Sequence, residues 1–103
     1  MPVFNAKDQQ LIEEFYRHVW GTLAPGTIDR TPFGPSVERV LVTGSKVPMQ
    51  LEKDLMPLPK ELDSQLSLIT ADYHRYKLGP HILLVKVSDL TIADIIKNAG
   101  MKQ

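Results

Sequence analysis

The sequence predicts an α+β fold, or a small α/β fold, in which a sheet packs against an amphipathic N-terminal helix. Apolar residues recur at helical spacing near the N-terminus, and two runs rich in β-branched residues lie between turn-forming residues. We expect a mixed sheet of two to four strands, a possible middle helix and a short C-terminal helix. A chain of 103 residues is the size of one domain. Since no linker or repeat divides it, residues 1–103 are predicted to form a single domain.

The first predicted helix covers residues 6–20. Leu11, Ile12, Phe15 and Val19 fall on one helical face, and Asn5 is a suitable N-cap. The next segment, residues 24–36, contains three prolines and two glycines, which neither a helix nor a central strand accepts. We therefore predict a loop there, and loops of this length are often functional.

Two strands are predicted, at residues 37–43 and 81–87. The second contains the unbroken apolar run from Ile82 to Val85, which indicates a central position in the sheet. About 37 residues separate the two strands, and a connection of that length suits parallel strands joined by a right-handed crossover.

The segment between these strands allows two interpretations. Its prolines restrict residues 49–56 to a short helix or an extended piece. Beyond them, apolar residues spaced three and four apart predict a helix over residues 60–77: Leu62, Leu66, Ile69, Tyr73 and Tyr76. The competing interpretation is that residues 66–70 and 73–78 form strands, because Ile, Thr and Tyr favour sheets.

A C-terminal helix is predicted over residues 90–99. Thr91 precedes Asp94 in a capping-box-like arrangement, and Gly100 suits the position after a helix end. This assignment leaves only two certain strands, which make a marginal sheet in water. Either residues 66–78 contribute strands or a second subunit completes the sheet, so we predict a homodimer.

Composition narrows the function classes. Twelve basic and twelve acidic residues give zero formal net charge, so nucleic acid is not an expected partner. The chain has no cysteine, which excludes disulfides and thiolate chemistry. We see neither a secretory signal nor an apolar run long enough to span a bilayer, so the expected location is cytoplasmic, without membrane contact. No cofactor and no metal site are predicted.

The candidate ligand-binding residues are Asp29, Arg30 and His74. Asp29 and Arg30 lie in the loop at residues 24–36, where a rigid segment carrying both charges can form a recognition surface. His74 is one of three histidines, and imidazole titrates near neutrality. No pattern assigns a catalytic residue. We expect a small soluble binding, regulatory or accessory protein that acts as a homo-oligomer, with another protein as a candidate partner. The alternative is a small enzyme or small-molecule binder with a pocket near that loop.

Overall fold

The computed structural model of the chain describes residues 3–22 and 34–97. In chain order, the elements of these residues are α1 (Ala6–Thr22), α2 (Pro35–Glu38), a 3-10 helix (Met49–Asp54), β1 (Met56–Pro57), α3 (Lys60–Asp63), β2 (Tyr73–Leu78), β3 (His81–Lys86) and β4 (Thr91–Ile96).

The four strands form one sheet in the order β1-β2-β3-β4, with every neighbouring pair antiparallel. The predicted α+β class is confirmed, but the sheet is antiparallel and not mixed. The physical reason is the short connection between β2 and β3, because two residues suffice for a hairpin while a parallel pair needs a long crossover. Gly79 has φ 57° at the first of these two positions, which suits a type II′ turn, and Pro80 follows it.

Strand β3 is the buried centre of the sheet, as the sequence predicted. Its first five residues are buried, and it pairs with β2 on one side and β4 on the other. Because side chains alternate along a strand, Ile82 and Leu84 face one layer, and Leu83 and Val85 face the other. We call these the helix face and the irregular face of the sheet.

The helix face is covered mainly by α1 and α3. The buried residues of this first cluster are Phe4, Ile12, Tyr16, Leu58, Leu62, Leu66, Ile82, Leu84, Ala93 and Ile96. The prediction of α1 and its N-cap is confirmed, since the Asp8 N–H donates to Asn5 Oδ1 at 2.7 Å. This bond satisfies one of the amide groups that a helix start leaves without an intrahelical partner.

The irregular face is covered by the chain between α2 and β1. Its buried residues are Leu41, Val47, Leu51, Leu78, Leu83, Val85 and Ile92. The predicted strand at residues 37–43 is wrong: α2 and turns occupy this stretch, in a different layer from β3. The reason is Pro35 in the first turn of α2, where its fixed φ favours a helix start. The 3-10 helix fits the short helix or extended piece predicted at residues 49–56.

The predicted helix over residues 60–77 is also wrong beyond α3, which ends at Asp63. The competing interpretation is confirmed for residues 73–78, which form β2, whereas residues 66–70 form no strand. The apolar spacing arose for another reason. Leu62, Leu66, Ile69 and Tyr73 all pack against the first cluster, although only Leu62 lies in a helix.

The predicted helix over residues 90–99 is wrong as well, because residues 91–96 form β4 and residues 98–99 lie outside the described part of the chain. Ile92 is buried on the irregular face and Ile96 on the helix face, because a register shift opposite Leu84 and Val85 places one extra residue in β4 and reverses the alternation of its side chains. Asp94 caps no helix. Its carboxylate accepts the Phe4 N–H at 2.8 Å and the Ile95 N–H at 2.9 Å, which ties the N-terminal segment to β4.

Both outer strands of the sheet are short or covered. The edge of β4 pairs with residues 44–47: the Gly44 N–H donates to the Ile92 carbonyl and the Ile92 N–H to the Ser45 carbonyl, both at 2.8 Å. On the other side, β1 has two residues and one is Pro57, which cannot donate to a further strand. The chain itself supplies four strands, so the need for a second subunit to complete the sheet disappears. The homodimer stays a prediction.

Candidate functional site

A cleft of about 370 Å³ lies at the β1–β2 side of the sheet. Its lining residues come from the β1 end, from α3, from the segment before β2 and from β2 itself: Pro57, Leu58, Asp63, Ile69, Thr70, Ala71, Tyr73, His74 and Arg75. Thr70 and Ala71 are exposed at its rim, while Leu58 and Arg75 are buried. The volume falls in the range of pockets that bind small organic molecules, which is roughly 300–1,000 Å³.

Arg75 is the central polar residue of this cleft. Its side chain is only 5% exposed, because position 75 of β2 points toward the helix face. Nη1 donates to Asp63 Oδ1 at 2.9 Å, Nη2 donates to the Ser67 carbonyl, and Nη2 lies 3.8 Å from Asp8 Oδ2. A buried guanidinium needs such partners, since an uncompensated charge in the interior is costly.

Asp8 connects this arginine to the start of α1. Its Oδ1 accepts both the backbone N–H of Ser67 at 3.0 Å and the Ser67 hydroxyl at 3.1 Å. Asn5 Nδ2 in turn donates to Ser67 Oγ at 2.8 Å. The network formed by Asn5, Asp8, Asp63, Ser67 and Arg75 therefore joins the N-terminus of α1, the segment before β2 and β2. We call it the Arg75 network.

The Arg75 network carries more negative than positive charge. Asp8 and Asp63 each contribute one negative charge, and Arg75 contributes the single positive one. The two carboxylates differ in exposure: the side chain of Asp8 is 4% exposed and that of Asp63 is 51% exposed. The Asp63 carboxylate is thus the charged group of the network that water and solutes reach. Arg75 Nε is buried and has no hydrogen-bond partner among the described residues.

Of the three predicted site residues, His74 lies at the cleft. It is exposed, and its ring stacks on that of Tyr76 with a centroid distance of 5.9 Å and an interplanar angle of 24°. Because the strand alternates, this imidazole faces away from Tyr73 and Arg75. Asp29 and Arg30 lie outside the described residues. Their role in binding remains a prediction.

Sequence reasoning missed Asp63 and Arg75 as site residues. A helix over residues 60–77 would place the acid Asp63 in its first turn and the base Arg75 in its last turn. Both positions favour the helix dipole, which accounts for the two charges without a shared binding site. The usable signal was the alternation in residues 73–78, which places Arg75 between the inward-facing Tyr73 and Lys77.

The other two histidines lie elsewhere. His18 is exposed on α1, and His81 is 1% exposed on β3. His81 Nε2 lies 2.7 Å from Glu38 Oε2, and Lys97 Nζ donates to the Glu38 carbonyl at 2.9 Å. This second polar cluster attaches α2 to the sheet. Among residues 3–22 and 34–97, no group of three histidine or carboxylate side chains is placed to hold a metal ion.

Comparisons with known proteins give a fold and no function. No protein-family model matches the chain, and no curated protein matches it. Among solved structures, the chain is similar to the C-terminal domain of the inner membrane protein CigR from Salmonella enterica, with a TM-score of 0.67 and 17% sequence identity. The similarity covers 96% of each chain. In the part of the chain that the structure describes, no helix has the length and apolar character needed to cross a bilayer. The chain shares the fold of the CigR domain.

Proposed function

We propose that this protein is a non-catalytic binding domain of an accessory or regulatory kind, and that its site is the cleft at the β1–β2 side. The observation that supports this proposal is the lining of the cleft, which combines apolar walls with one deeply buried charge. The charge belongs to Arg75, whose hydrogen bonds go to Asp63 and Ser67. Apolar walls with a few fixed polar groups are the usual composition of a recognition site.

The alternative is a small enzyme or small-molecule binder with a pocket near residues 24–36. It has one residue in common with this proposal, because its candidate His74 also lines the cleft. His74 is exposed at the cleft, and an imidazole there is available for proton transfer. Its ring faces away from Arg75, however, so an enzymatic role requires a substrate that reaches both faces of β2. We therefore place binding before catalysis.

Location and subunit number remain predictions. We expect the cytoplasm, and fractionation of cells that express the tagged full-length chain tests this expectation, because recovery with the membrane or the periplasm contradicts it. The CigR domain belongs to an inner membrane protein, which makes this measurement informative. Sedimentation at micromolar concentration tests the homodimer, since the mass of one chain contradicts it.

The binding proposal is tested by filling the cleft. Ala71→Trp places a bulky side chain at the exposed rim, and Met49→Trp is the matched control, because Met49 is 82% exposed and does not line the cleft. A library of small aromatic fragments is screened against the full chain by amide chemical-shift mapping. We expect fragments that shift amides at residues 57–58 and 69–75 to bind at least about tenfold more weakly to Ala71→Trp only. If no fragment shifts those amides, or if both variants bind alike, the cleft is not the site.

A further inference from the structure

The preferred ligand class follows from the charge at the cleft. We propose that the cleft binds a small organic cation, an aliphatic amine with an aromatic or aliphatic body, whose ammonium group lies against Asp63. This inference rests on the proposed binding function and adds the chemistry of the ligand to it. The apolar body would contact the cleft walls, and the ammonium group would lie at the open side.

Asp63 is the group that recognises the amine. Its side chain is 51% exposed and contributes to the cleft lining. Only Oδ1 is engaged, by Arg75 Nη1 at 2.9 Å, and Oδ2 makes no hydrogen bond or ion pair with the described residues. A half-exposed carboxylate with one oxygen available accepts a hydrogen bond from an ammonium group without a change in the protein.

The buried part of the Arg75 network, formed by Asp8 and Arg75, has no net formal charge and leaves the negative charge of Asp63 in excess. Asp8 lies behind Arg75 and its side chain is 4% exposed, so its negative charge is little screened by water. With Asp63 included, the network has one negative charge in excess. A carboxylate ligand would bring a third anion to the site, whereas an ammonium group neutralises the excess.

The apolar walls define the rest of the ligand. Leu58 is buried at 7% exposure, and Ile69 and Tyr73 are partly buried. Together with Pro57 and Ala71 they provide a surface that an alkyl or phenyl group covers. A primary amine carrying a phenethyl group therefore has both parts of the proposed ligand, and its size suits a cleft of about 370 Å³.

The test compares three probes of the same shape: phenethylammonium, phenethyl alcohol and 3-phenylpropionate. Each is titrated into the full-length protein at low salt while the amide shifts at residues 57–58 and 69–75 are followed. We expect phenethylammonium to bind about 2- to 5-fold more tightly than the alcohol, as one exposed ion pair allows, and 3-phenylpropionate to bind most weakly. 3-Phenylpropionate also tests the opposite hypothesis, that the cleft prefers an anion because Arg75 Nε lacks an acceptor among the described residues.

Two variants identify the recognising group. Asp63→Asn is expected to lower the affinity for phenethylammonium to that for the alcohol, whereas Asp54→Asn, an exposed aspartate that does not line the cleft, leaves it unchanged. Because Asp63→Asn weakens the Arg75 network, Thr70→Lys is the second variant. It adds a positive charge at the exposed rim without removing a contact of that network, and we expect it to weaken phenethylammonium binding by a similar factor.

The outcomes separate this inference from the proposed function. If all three probes shift the cleft amides with equal affinity, or if 3-phenylpropionate binds most tightly, the cleft binds ligands and the amine preference is wrong. An unchanged phenethylammonium affinity in both Asp63→Asn and Thr70→Lys also contradicts the preference. If none of the probes, nor any fragment of the library, shifts these amides, the proposed binding function itself fails.

Discussion

The two faces of the sheet are covered in different ways and yet bury the central strand equally. The helix face has α1, a regular helix of 17 residues, while the irregular face has α2, of four residues, a 3-10 helix and turns. Leu84 on the helix face is 1% exposed and Leu83 on the irregular face is 0% exposed. Regular secondary structure in the covering layer is therefore not required for complete burial of β3.

On each face a buried ionisable side chain attaches the covering layer to the sheet. On the helix face it is Arg75, with Asp8 beneath it, and on the irregular face it is His81, with Glu38. The partners differ, because the side chain of Asp8 is 4% exposed and that of Glu38 is 23% exposed. We therefore expect the two attachments to contribute differently to stability.

The largest expected effect tests whether the two faces pack equally well. Leu84→Ala and Leu83→Ala each remove a fully buried side chain, and each is expected to lower the free energy of unfolding by about 3–4 kcal/mol. Chemical denaturation of both variants measures the two losses. A Leu83→Ala loss below about 1.5 kcal/mol, with the Leu84→Ala loss as expected, would show that the irregular layer is loosely packed.

The second prediction compares the stability that each polar attachment contributes, the one formed by Arg75 and Asp8 on the helix face and the one formed by His81 and Glu38 on the irregular face. Asp8→Ala leaves Ser67 without an acceptor and removes the buried charge next to Arg75, so we expect a loss of about 3 kcal/mol. Glu38→Ala removes a partner that water replaces more easily, and we expect a loss of about 1 kcal/mol. Thermal and chemical unfolding of both variants checks the difference. Equal losses would contradict the role that we assign to the exposure of the partner.

The same two faces explain how much of the fold the sequence predicts. On the helix face α1 is predictable, because it combines apolar spacing with the Asn5 cap, whereas residues 64–70 have helical spacing without forming a helix. The central strand β3 is predictable as an apolar run between turn residues. The irregular cover is not. The apolar run there forms turns and not a strand, with Val40 and Val42 42% and 41% exposed and Leu41 between them 0% exposed.

The candidate site is less predictable than the fold for a related reason. Leu62, Leu66 and Ile69 have helical spacing because all three pack against the same cluster from a short helix and a loop. The spacing of apolar residues along the chain indicates which residues pack in the same cluster. It does not determine whether a helix or a loop carries them there. Arg75 and Asp63 are twelve positions apart in sequence, and only the turn of the chain into β2 brings them together. Tertiary structure creates this pair.

The last of these effects is a pH dependence that belongs to the helix face. Tyr16 packs in the first cluster at 3% exposure, and burial raises the pKa of its phenol from 10.0 to about 12. Below about pH 10 the phenol is neutral in both the folded and the unfolded chain, so its contribution to stability is constant. Between about pH 10 and 12 the unfolded chain loses the proton first, and the free energy of unfolding falls by about 1.4 kcal/mol per pH unit.

Tyr16→Phe isolates this contribution, because the variant keeps the ring and removes the titrating hydroxyl. The other tyrosines and the lysines titrate in both proteins, so their effects cancel in the difference. Between about pH 9 and pH 11.5, we expect the wild type to lose about 2 kcal/mol more stability than Tyr16→Phe, as measured by urea unfolding at each pH. Parallel curves over this interval would mean that the Tyr16 hydroxyl is hydrated in the folded protein. Water would then reach the contact between α1 and the helix face, although Tyr16 is only 3% exposed.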